Sequence, residues 1–403
     1  MTQRVSGVRL LTYRAIYAYA WDLAEAGVRE AVEELGALGI NTITLAGSYH
    51  AGKFIRPRGR ESKVYFPEDG TAYFRHDPKA YGEIQPQPSA LVAEQDVLRE
   101  LCETGGVAAN AWLVLLHNTR IGAAHPHATV ANAFGDRYVY SLCPSSPAAR
   151  EYAVALCKDV TDHYPISGLS LETPGFLPYE HGFHHEFALM RQNVWFDNLM
   201  GLCFCDHCLD GANAAGIDAK RLKAAVRDDI AAYLASDLDF PDDMAAAFWA
   251  SDALLDADLS NFLRWRCTVV TSLVQAIRDA VRPDANVAVI PSVARPTGGA
   301  WYEGSDLRAL AQAAGILEVC FYEPGPERIR SDIWDVQRRL NGAGHLRGVL
   351  RPGFPDLTTR QDVIDGVAAL VAAGIHDIAF YNYGHLRQAN LDWMGDALAA
   401  AGS

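Results

Sequence analysis

Two glutamates each follow directly on an apolar run and stand just before a proline and a glycine: Glu172 in GLSLETPG and Glu323 in LEVCFYEPG. When two carboxyl groups face one another, one can protonate a leaving oxygen while the other attacks carbon or activates water. That is the apparatus of glycosidic bond cleavage, so these two residues are the first candidates for a catalytic pair. Asp356, in RPGFPD, is a third candidate, and it is equally placed to cap a helix that begins near Thr358.

A second group of residues follows the apolar runs and has the chemistry to hold a sugar. Aromatic rings suit the apolar faces of sugar rings, and Arg, Asn and His side chains suit hydroxyl groups. The predicted substrate-binding residues are Tyr13, Arg14, Trp112, His117, His184, His185, Trp301, Tyr322, Arg351, Tyr381, Asn382 and Tyr383. The alternative for each glutamate is an ion pair with a neighbouring arginine and no role in catalysis.

The segment HGFHHEF, residues 181–187, suggests a different chemistry. His184, His185 and Glu186 are residue types that bind metals, so a metal-dependent isomerase or hydrolase is a second hypothesis. A solvated or substrate-contacting loop is the simpler interpretation and the one we favour. A third hypothesis is a sugar-binding protein that keeps the aromatic residues without a working carboxylate pair.

Three cysteines lie within seven residues in LCFCDHCLD, although the chain contains only 8 cysteines in all. The spacing C-x-C-x-x-C brings Cys203, Cys205 and Cys208 into one turn, which suits a tetrahedral zinc site. Cys143, in YSLCPSSPAAR, is the best fourth ligand, because its loop should neighbour the loop that carries the cluster. A partial disulfide or ordinary buried thiols are the alternatives. A site with four thiolates has no open position, so its zinc would be structural.

The segments that must position these residues alternate between short apolar runs and amphipathic helical stretches. The predicted strands cover residues 8–20, 41–47, 107–118, 166–175, 286–296, 316–325, 345–354 and 376–386. The predicted helices cover residues 26–39, 88–106, 146–164, 260–281, 305–315, 327–342, 359–374 and 388–400. Eight strand–helix pairs with apolar strands predict an α/β protein, a closed (β/α)8 TIM barrel.

We expect one catalytic barrel over residues 1–403, with a zinc-anchored helical insertion after the fourth strand at residues 203–262. In such a barrel, the functional residues lie at the carboxyl ends of the strands and in the loops after them. This rule adds four candidates near the ends of the predicted strands: Tyr17, Tyr49, His50 and Arg295. The runner-up fold is an open doubly wound sheet. It predicts a glycine-rich fingerprint after the first strand, and the sequence has none there.

The composition narrows the class of protein. A formal charge of −14 argues against nucleic acid and anionic membrane as partners, because both attract basic surfaces. No signal peptide is recognisable, and no run approaches the roughly 18 apolar residues of a membrane span. We therefore expect a soluble, cytoplasmic enzyme with a small carbohydrate substrate, and the sequence leaves a homo-oligomer open.

Part of the chain resembles the family 42 β-galactosidases, which are zinc-binding barrel glycoside hydrolases. The resemblance rests on CPSSP at the start of a helix, the fourth-strand glutamate and C-x-C-x-x-C, and it covers residues 137–208. It implies Glu172 as the acid/base residue and zinc bound by the four cysteines Cys143, Cys203, Cys205 and Cys208.

The chain also departs from that family. The family has asparagine immediately before the acid/base glutamate, where this chain has Leu171, and its nucleophile is a seventh-strand glutamate that this chain lacks. The resemblance therefore implies the barrel, the zinc and the hydrolase class, and not galactose specificity. A second group of barrel glycosidases has its nucleophile on strand four and its acid/base residue on strand six. The roles of Glu172 and Glu323 are accordingly interchangeable at this point.

Overall fold

The structure is a computed structural model that describes residues 13–181, 183 and 186–402. Eight parallel strands form its centre. They are β1 Arg14–Ala18, β2 Thr42–Tyr49, β3 Ala108–Val114, β4 Gly168–Glu172, β5 Asn286–Val289, β6 Gly315–Cys320, β7 His345–Leu350 and β8 Ile378–Phe380. Their inward and outward positions are buried almost throughout, as expected for a parallel sheet covered by helices.

The sheet closes on itself because β1 pairs with both of its neighbours in space. Ala15 lies opposite Thr42 of β2, and Ile16 lies opposite Phe380 of β8. The remaining strands pair in chain order around the ring. The predicted (β/α)8 barrel is confirmed, and the open doubly wound sheet is excluded.

Fifteen α-helices lie among the described residues. They are α1 Ala20–Ala26, α2 Val28–Ala37, α3 Ala90–Glu94, α4 Val97–Thr104, α5 Thr119–Ala124, α6 Pro147–His163, α7 Val194–Met200, α8 Asp206–Ala214, α9 Ala219–Ala235, α10 Asp242–Leu255, α11 Ala257–Ala280, α12 Leu307–Ala314, α13 Pro326–Leu340, α14 Arg360–Ala372 and α15 Gln388–Gly402. No helix in this part of the chain has the length and apolar character needed to cross a membrane.

The helix predicted at residues 88–106 is two helices. The side chain of Asp96 accepts a hydrogen bond from the backbone N–H of Arg99 and so starts a new helix at Val97. An aspartate at that position competes with helix continuation by satisfying a free N–H of the following turn. The apolar residues keep the same helical spacing across this break. The apolar pattern in the sequence therefore does not reveal that the helix is interrupted.

The helices between β4 and β5 enclose a second apolar cluster beside the barrel core. Phe204, Leu222 and Ile230 are among its fully buried members. Helix α11 joins the two cores, because Phe262 packs in the second cluster while Leu273 packs in the barrel cluster. This long helix therefore fixes the insertion against the wall of the barrel.

Candidate active site

A cavity of about 560 Å³ opens where the carboxyl ends of the barrel strands meet. Its lining residues are Tyr17, Tyr49, His50, Trp112, Glu172, Glu180, His181, Ile290, Val293, Ala294, Arg295, Cys320, Tyr322, Arg351 and Tyr381. Nine of the residues that the sequence brings forward are in this lining: Tyr17, Tyr49, His50, Trp112, Glu172, Arg295, Tyr322, Arg351 and Tyr381. The size suits a sugar-sized ligand.

Glu172 is the last residue of β4, and its carboxyl group is at the cavity wall. The indole Nε1–H of Trp112 donates a hydrogen bond of 2.5 Å to Oε2 of Glu172. Burial raises the pKa of Glu172 to about 7, and the bond from Trp112 opposes that shift. The following residue, Thr173, has a φ of 52°, a left-handed conformation that is rare for a β-branched residue. Such strained positions concentrate at functional sites, and this one fixes the direction in which the chain leaves Glu172.

A second buried carboxyl group, that of Glu303, lies behind Glu172. The two residues border one small side cleft that opens beside the cavity. The hydroxyl of Ser292 donates a hydrogen bond of 2.5 Å to Oε1 of Glu303. Burial raises the pKa of Glu303 to about 8, and the negative charge of Glu172 raises it further. Burial and the nearby Glu172 carboxylate therefore both favour the protonated form of Glu303.

We expect Glu303→Gln to make the stability of the fold less dependent on pH. A carboxyl whose folded-state pKa is raised contributes stability that is fully present below its ordinary pKa and lost as the pH rises through about 8. The free energy of unfolding of the variant should fall less steeply with pH, by up to about 1.4 kcal/mol per pH unit. Urea unfolding from pH 5 to 9 measures this. Parallel curves for the variant and the wild type would contradict the buried, protonated Glu303.

Aromatic rings form one wall of the cavity. Trp112 makes edge contacts with Tyr17 and Tyr49, at centroid distances of 5.2 and 5.0 Å. Tyr381 lies 5.9 Å from both Trp112 and Tyr322. Because these rings hold one another, the wall is an ordered apolar surface of the kind on which a sugar ring can rest.

Two arginines face the cavity and are tied together by Asp356. Nη1 of Arg295 lies 2.7 Å from Oδ1 of Asp356, and Nε of Arg351 lies 2.5 Å from Oδ2. The Asp356 side chain is fully buried, so its charge is neutralised by these two partners. The structure thus places Asp356 behind the arginines, outside the lining, and Thr359 caps the next helix instead. Asp356 therefore neither lines the cavity nor caps the helix, in contrast to the two expectations drawn from the sequence.

Glu323 is not among the residues that line the cavity. It is buried, and its Oε2 lies 2.6 Å from Nε of Arg328 in the first turn of α13. β6 ends at Cys320, three residues before Glu323. The structure therefore corrects the proposed Glu172–Glu323 pair, and the ion-pair alternative describes Glu323.

Three histidines stack at one side of the cavity. The rings of His50 and His117 are 4.3 Å apart and nearly parallel, and His181 meets His117 edge-on at 5.1 Å. Burial lowers the pKa of His117 to about 2, helped by the neighbouring His50 and His181. His117 is thus a neutral support behind His50 and His181, and those two line the cavity.

Tyr13 and Arg14 lie at the opposite end of β1 from the cavity. The hydroxyl of Tyr13 is hydrogen-bonded inside the barrel, 2.8 Å from Oγ1 of Thr44, and Arg14 borders a groove next to α15. β1 begins at Arg14 and ends at Ala18, so Tyr13 and Arg14 lie at the amino end of the strand and not at its carboxyl end. Both residues are therefore removed from the substrate-binding set.

Three further predicted residues also lie outside the cavity lining. Trp301 stacks on Trp249 of α10 at 5.8 Å. Asn382 is buried and accepts a hydrogen bond from the backbone of Gly384, and Tyr383 lies under the guanidinium of Arg58 in a separate pocket. Each follows a strand in sequence but is not among the residues that line the cavity.

The histidine loop is described only in part. His184 and His185 lie outside the described residues, and Glu186 accepts a hydrogen bond of 2.6 Å from the backbone N–H of Phe183. Among the described residues, the groups of metal-binding side chains that come together are the four cysteines and a set of Glu83, His125 and His127. Neither group lines the cavity.

The four predicted cysteine ligands lie together, all of them buried. Sγ of Cys143 lies 3.5 Å from that of Cys208, 3.6 Å from that of Cys205 and 3.8 Å from that of Cys203. Zinc bound to four sulfurs at about 2.3 Å each requires sulfurs about 3.8 Å apart. The donor set and its spacing therefore fit a tetrahedral zinc ion.

Sequence comparison finds no matching protein-family model and no matching curated protein. The solved structures that are similar to this chain include two glycoside-processing proteins. The PgaB (BpsB) glycoside hydrolase domain from Bordetella bronchiseptica aligns with 97% of this chain and 98% of its own, at 14% identity and a TM-score of 0.56. Alpha-L-fucosidase isoenzyme 2 from Paenibacillus thiaminolyticus aligns with 97% of this chain at 14% identity and a TM-score of 0.55, and this chain spans 49% of it. At this identity the likeness establishes the (β/α)8 barrel fold.

Two carboxyl groups of the site are not among the catalytic residues predicted from the sequence. Glu180 lines the cavity from the loop after β4, and Glu303 lies behind Glu172 in the loop after β5. Neither follows an apolar run directly, so the rule that selects strand ends passes over both. The only sequence feature that points to them is that each is an acidic residue in a loop that follows a barrel strand.

Proposed function

We propose that this chain is a glycoside hydrolase in which Glu172 is the general acid. The observation that carries the proposal is the carboxyl of Glu172 at the wall of the strand-end cavity, with a pKa raised to about 7 by burial. A general acid is most effective when its pKa lies near the working pH. The aromatic wall and the arginines supply the surroundings that a sugar ring needs.

In this mechanism a sugar rests on the aromatic wall with its glycosidic oxygen next to Glu172. Glu172 donates its proton to that oxygen as the bond between oxygen and the anomeric carbon breaks. The second carboxyl group of the lining, Glu180, is the candidate for attacking the anomeric carbon or for activating the water that does so. Water finally adds a hydroxyl to the sugar, and Glu172 regains a proton.

The test is a screen of purified full-length protein against α- and β-nitrophenyl glycosides and short oligosaccharides. We expect release of nitrophenol or of a reducing sugar from at least one member. Absence of release from every glycoside, with protein that is folded by circular dichroism, would contradict the proposal and favour a binding protein.

We expect the hydrolysis rate to fall at alkaline pH. Glu172 must be protonated to donate, and its pKa is about 7, so kcat should drop about tenfold per pH unit well above pH 7. The pH dependence of kcat between pH 5 and 9.5 measures this limb. A rate that stays constant from pH 7 to 9 would exclude Glu172 as the proton donor.

We further propose that Cys143, Cys203, Cys205 and Cys208 hold a structural zinc ion. The spacing of their sulfurs supports this. With four thiolate ligands the metal supplies no open position for substrate, and its contribution is to the fold. It would join the loop after β3 to the segment that begins the helical insertion.

A further inference from the structure

We infer that the cavity takes a sugar carrying a carboxylate, a uronic acid residue, with Arg295 and Arg351 as its recognition site. The inference deepens the proposed function and rests on it for the hydrolysis step. It is carried by the arrangement of the two guanidinium groups around the buried Asp356.

Asp356 uses one oxygen for each arginine, and this fixes both guanidinium groups at the cavity. The backbone carbonyl of Tyr322 accepts a further hydrogen bond of 2.8 Å from Nη1 of Arg295. The guanidinium of Arg351 lies 4.5 Å over the ring of Tyr322, which holds its plane. Two arginines that are fixed in this way are an organised anion-binding site, because little side-chain entropy remains to be lost on binding.

Most of the N–H donors of the two arginines have no protein partner among the described residues. Among the described residues, no protein acceptor lies on Nη1 or Nη2 of Arg351, or on Nε or Nη2 of Arg295. The side chain of Arg351 is 30% exposed and that of Arg295 is 41% exposed, and both residues line the cavity. These N–H groups are available to a ligand.

The charge balance at this end of the cavity is positive. Asp356 cancels one of the two arginine charges, which leaves about one positive charge facing the ligand. The acidic residues of the lining are Glu172, which is partly buried, and Glu180, which is exposed to water that screens its interactions. The chain as a whole carries −14, so this positive end is a local arrangement and not a reflection of the composition.

A carboxylate fits this site better than a hydroxyl or a sulfate. The guanidinium fork matches the two coplanar oxygens of a carboxylate, and charge-assisted hydrogen bonds are about twice as strong as neutral ones. A neutral sugar would shield the arginines from water without replacing that hydration by an opposite charge, which is costly.

Glu172 and the two arginines line the same cavity, so one sugar can contact both. Tyr381 lines the cavity together with Glu172 and Arg351, and it lies close to both charges: that of Glu172 raises the pKa of Tyr381 and that of Arg351 lowers it. The acid and the anion site therefore both lie near Tyr381. A single sugar ring lying on Tyr381 can place its glycosidic oxygen at one and its carboxylate at the other.

The experiment compares nitrophenyl glucuronides and galacturonides with their methyl esters and with the matching glucosides and galactosides. We expect kcat/KM to be at least about tenfold higher for an acidic sugar than for its methyl ester. In parallel, calorimetry measures the binding of free D-glucuronate, D-galacturonate, D-glucose and glucose 6-sulfate, independently of turnover.

The matched variants are Arg351→Gln and, to keep the charge beside Asp356, Arg351→Lys. We expect Arg351→Gln to lower kcat/KM for the uronide by roughly 10- to 100-fold, and Arg351→Lys to lower it less. Turnover of any neutral glycoside should fall by a smaller factor than turnover of the uronide. Arg338→Gln, which removes a surface arginine paired with Asp335 on α13, is the control. Melting temperatures of all variants show whether each one is folded.

The possible outcomes distinguish the proposed uronate site from the proposed hydrolase activity. Binding of a uronate that Arg351→Gln weakens, without cleavage of any glycoside, supports the acidic-sugar site and overturns the hydrolase. Cleavage of neutral glycosides with no preference for the uronide overturns the inference and leaves the hydrolase standing. Tighter binding of glucose 6-sulfate than of either uronate overturns the carboxylate assignment. Failure to bind any of these sugars, together with no turnover, overturns both.

Discussion

Replacing Glu172 by Gln should lower kcat on an unactivated glycoside by roughly 10²- to 10⁴-fold, the usual contribution of a positioned general acid. Glutamine keeps the size of the side chain and can accept the hydrogen bond from Nε1 of Trp112. It has no carboxyl proton to give to the leaving oxygen. We therefore expect little change in KM, and steady-state kinetics of purified wild type and variant measure both constants.

Two other substitutions show whether the effect is specific to the cavity. Glu323→Gln removes the carboxylate that the sequence analysis pairs with Glu172, but the structure places this residue in an ion pair with Arg328. We expect it to affect stability more than turnover. Glu327→Gln, at an exposed position of α13, is the surface control. If Glu323→Gln lost as much activity as Glu172→Gln, the placement of Glu323 outside the site would be wrong.

The second large effect concerns the four-cysteine cluster. Cys205→Ser should abolish zinc binding and destabilise the protein by roughly 4 kcal/mol or more, because loss of a bound metal is among the most damaging single changes. With an unfolding entropy of roughly 0.8 kcal/mol/K for a chain of this length, that corresponds to a melting temperature lower by about 5 °C. Elemental analysis of the purified protein should find one zinc ion per chain in the wild type and none in the variant.

Cys102→Ser is the matched control for the cluster. Cys102 lies on α4, apart from the four clustered cysteines, so its substitution should preserve the zinc content and most of the stability. A strong chelator should lower the melting temperature of the wild type and leave that of Cys205→Ser unchanged. Full stability and no metal in the wild type would show that the cysteines are ordinary buried thiols.

The barrel could be predicted from the sequence because its signal is repeated and local. Each strand is a short apolar run bounded by polar or turn residues, and each helix carries its own amphipathic pattern. The cysteine cluster was predictable for a similar reason: three of its four members lie in one turn, and Cys143 follows from the adjacency of neighbouring loops. These features depend on order along the chain, which the sequence contains.

The cavity was predictable only in part, because its lining depends on where each strand stops and on which way each loop turns. β1 runs to Ala18 and so carries Tyr13 and Arg14 to the wrong end of the barrel. β6 ends at Cys320, which leaves Glu323 outside the cavity. The apolar pattern of a sequence does not locate strand ends to within a few residues. Those few residues decide whether a side chain faces the cavity.

The most direct test of the account is a leaving-group series. Aryl glycosides of one cleaved sugar, with phenols of increasing pKa, are compared between wild type and Glu172→Gln. If Glu172 protonates the leaving oxygen, the variant should retain most of its rate on dinitrophenyl glycosides, which need no acid, and lose progressively more as the phenol becomes more basic. An equal loss across the whole series, or no loss at all, would contradict Glu172 as the general acid of this cavity.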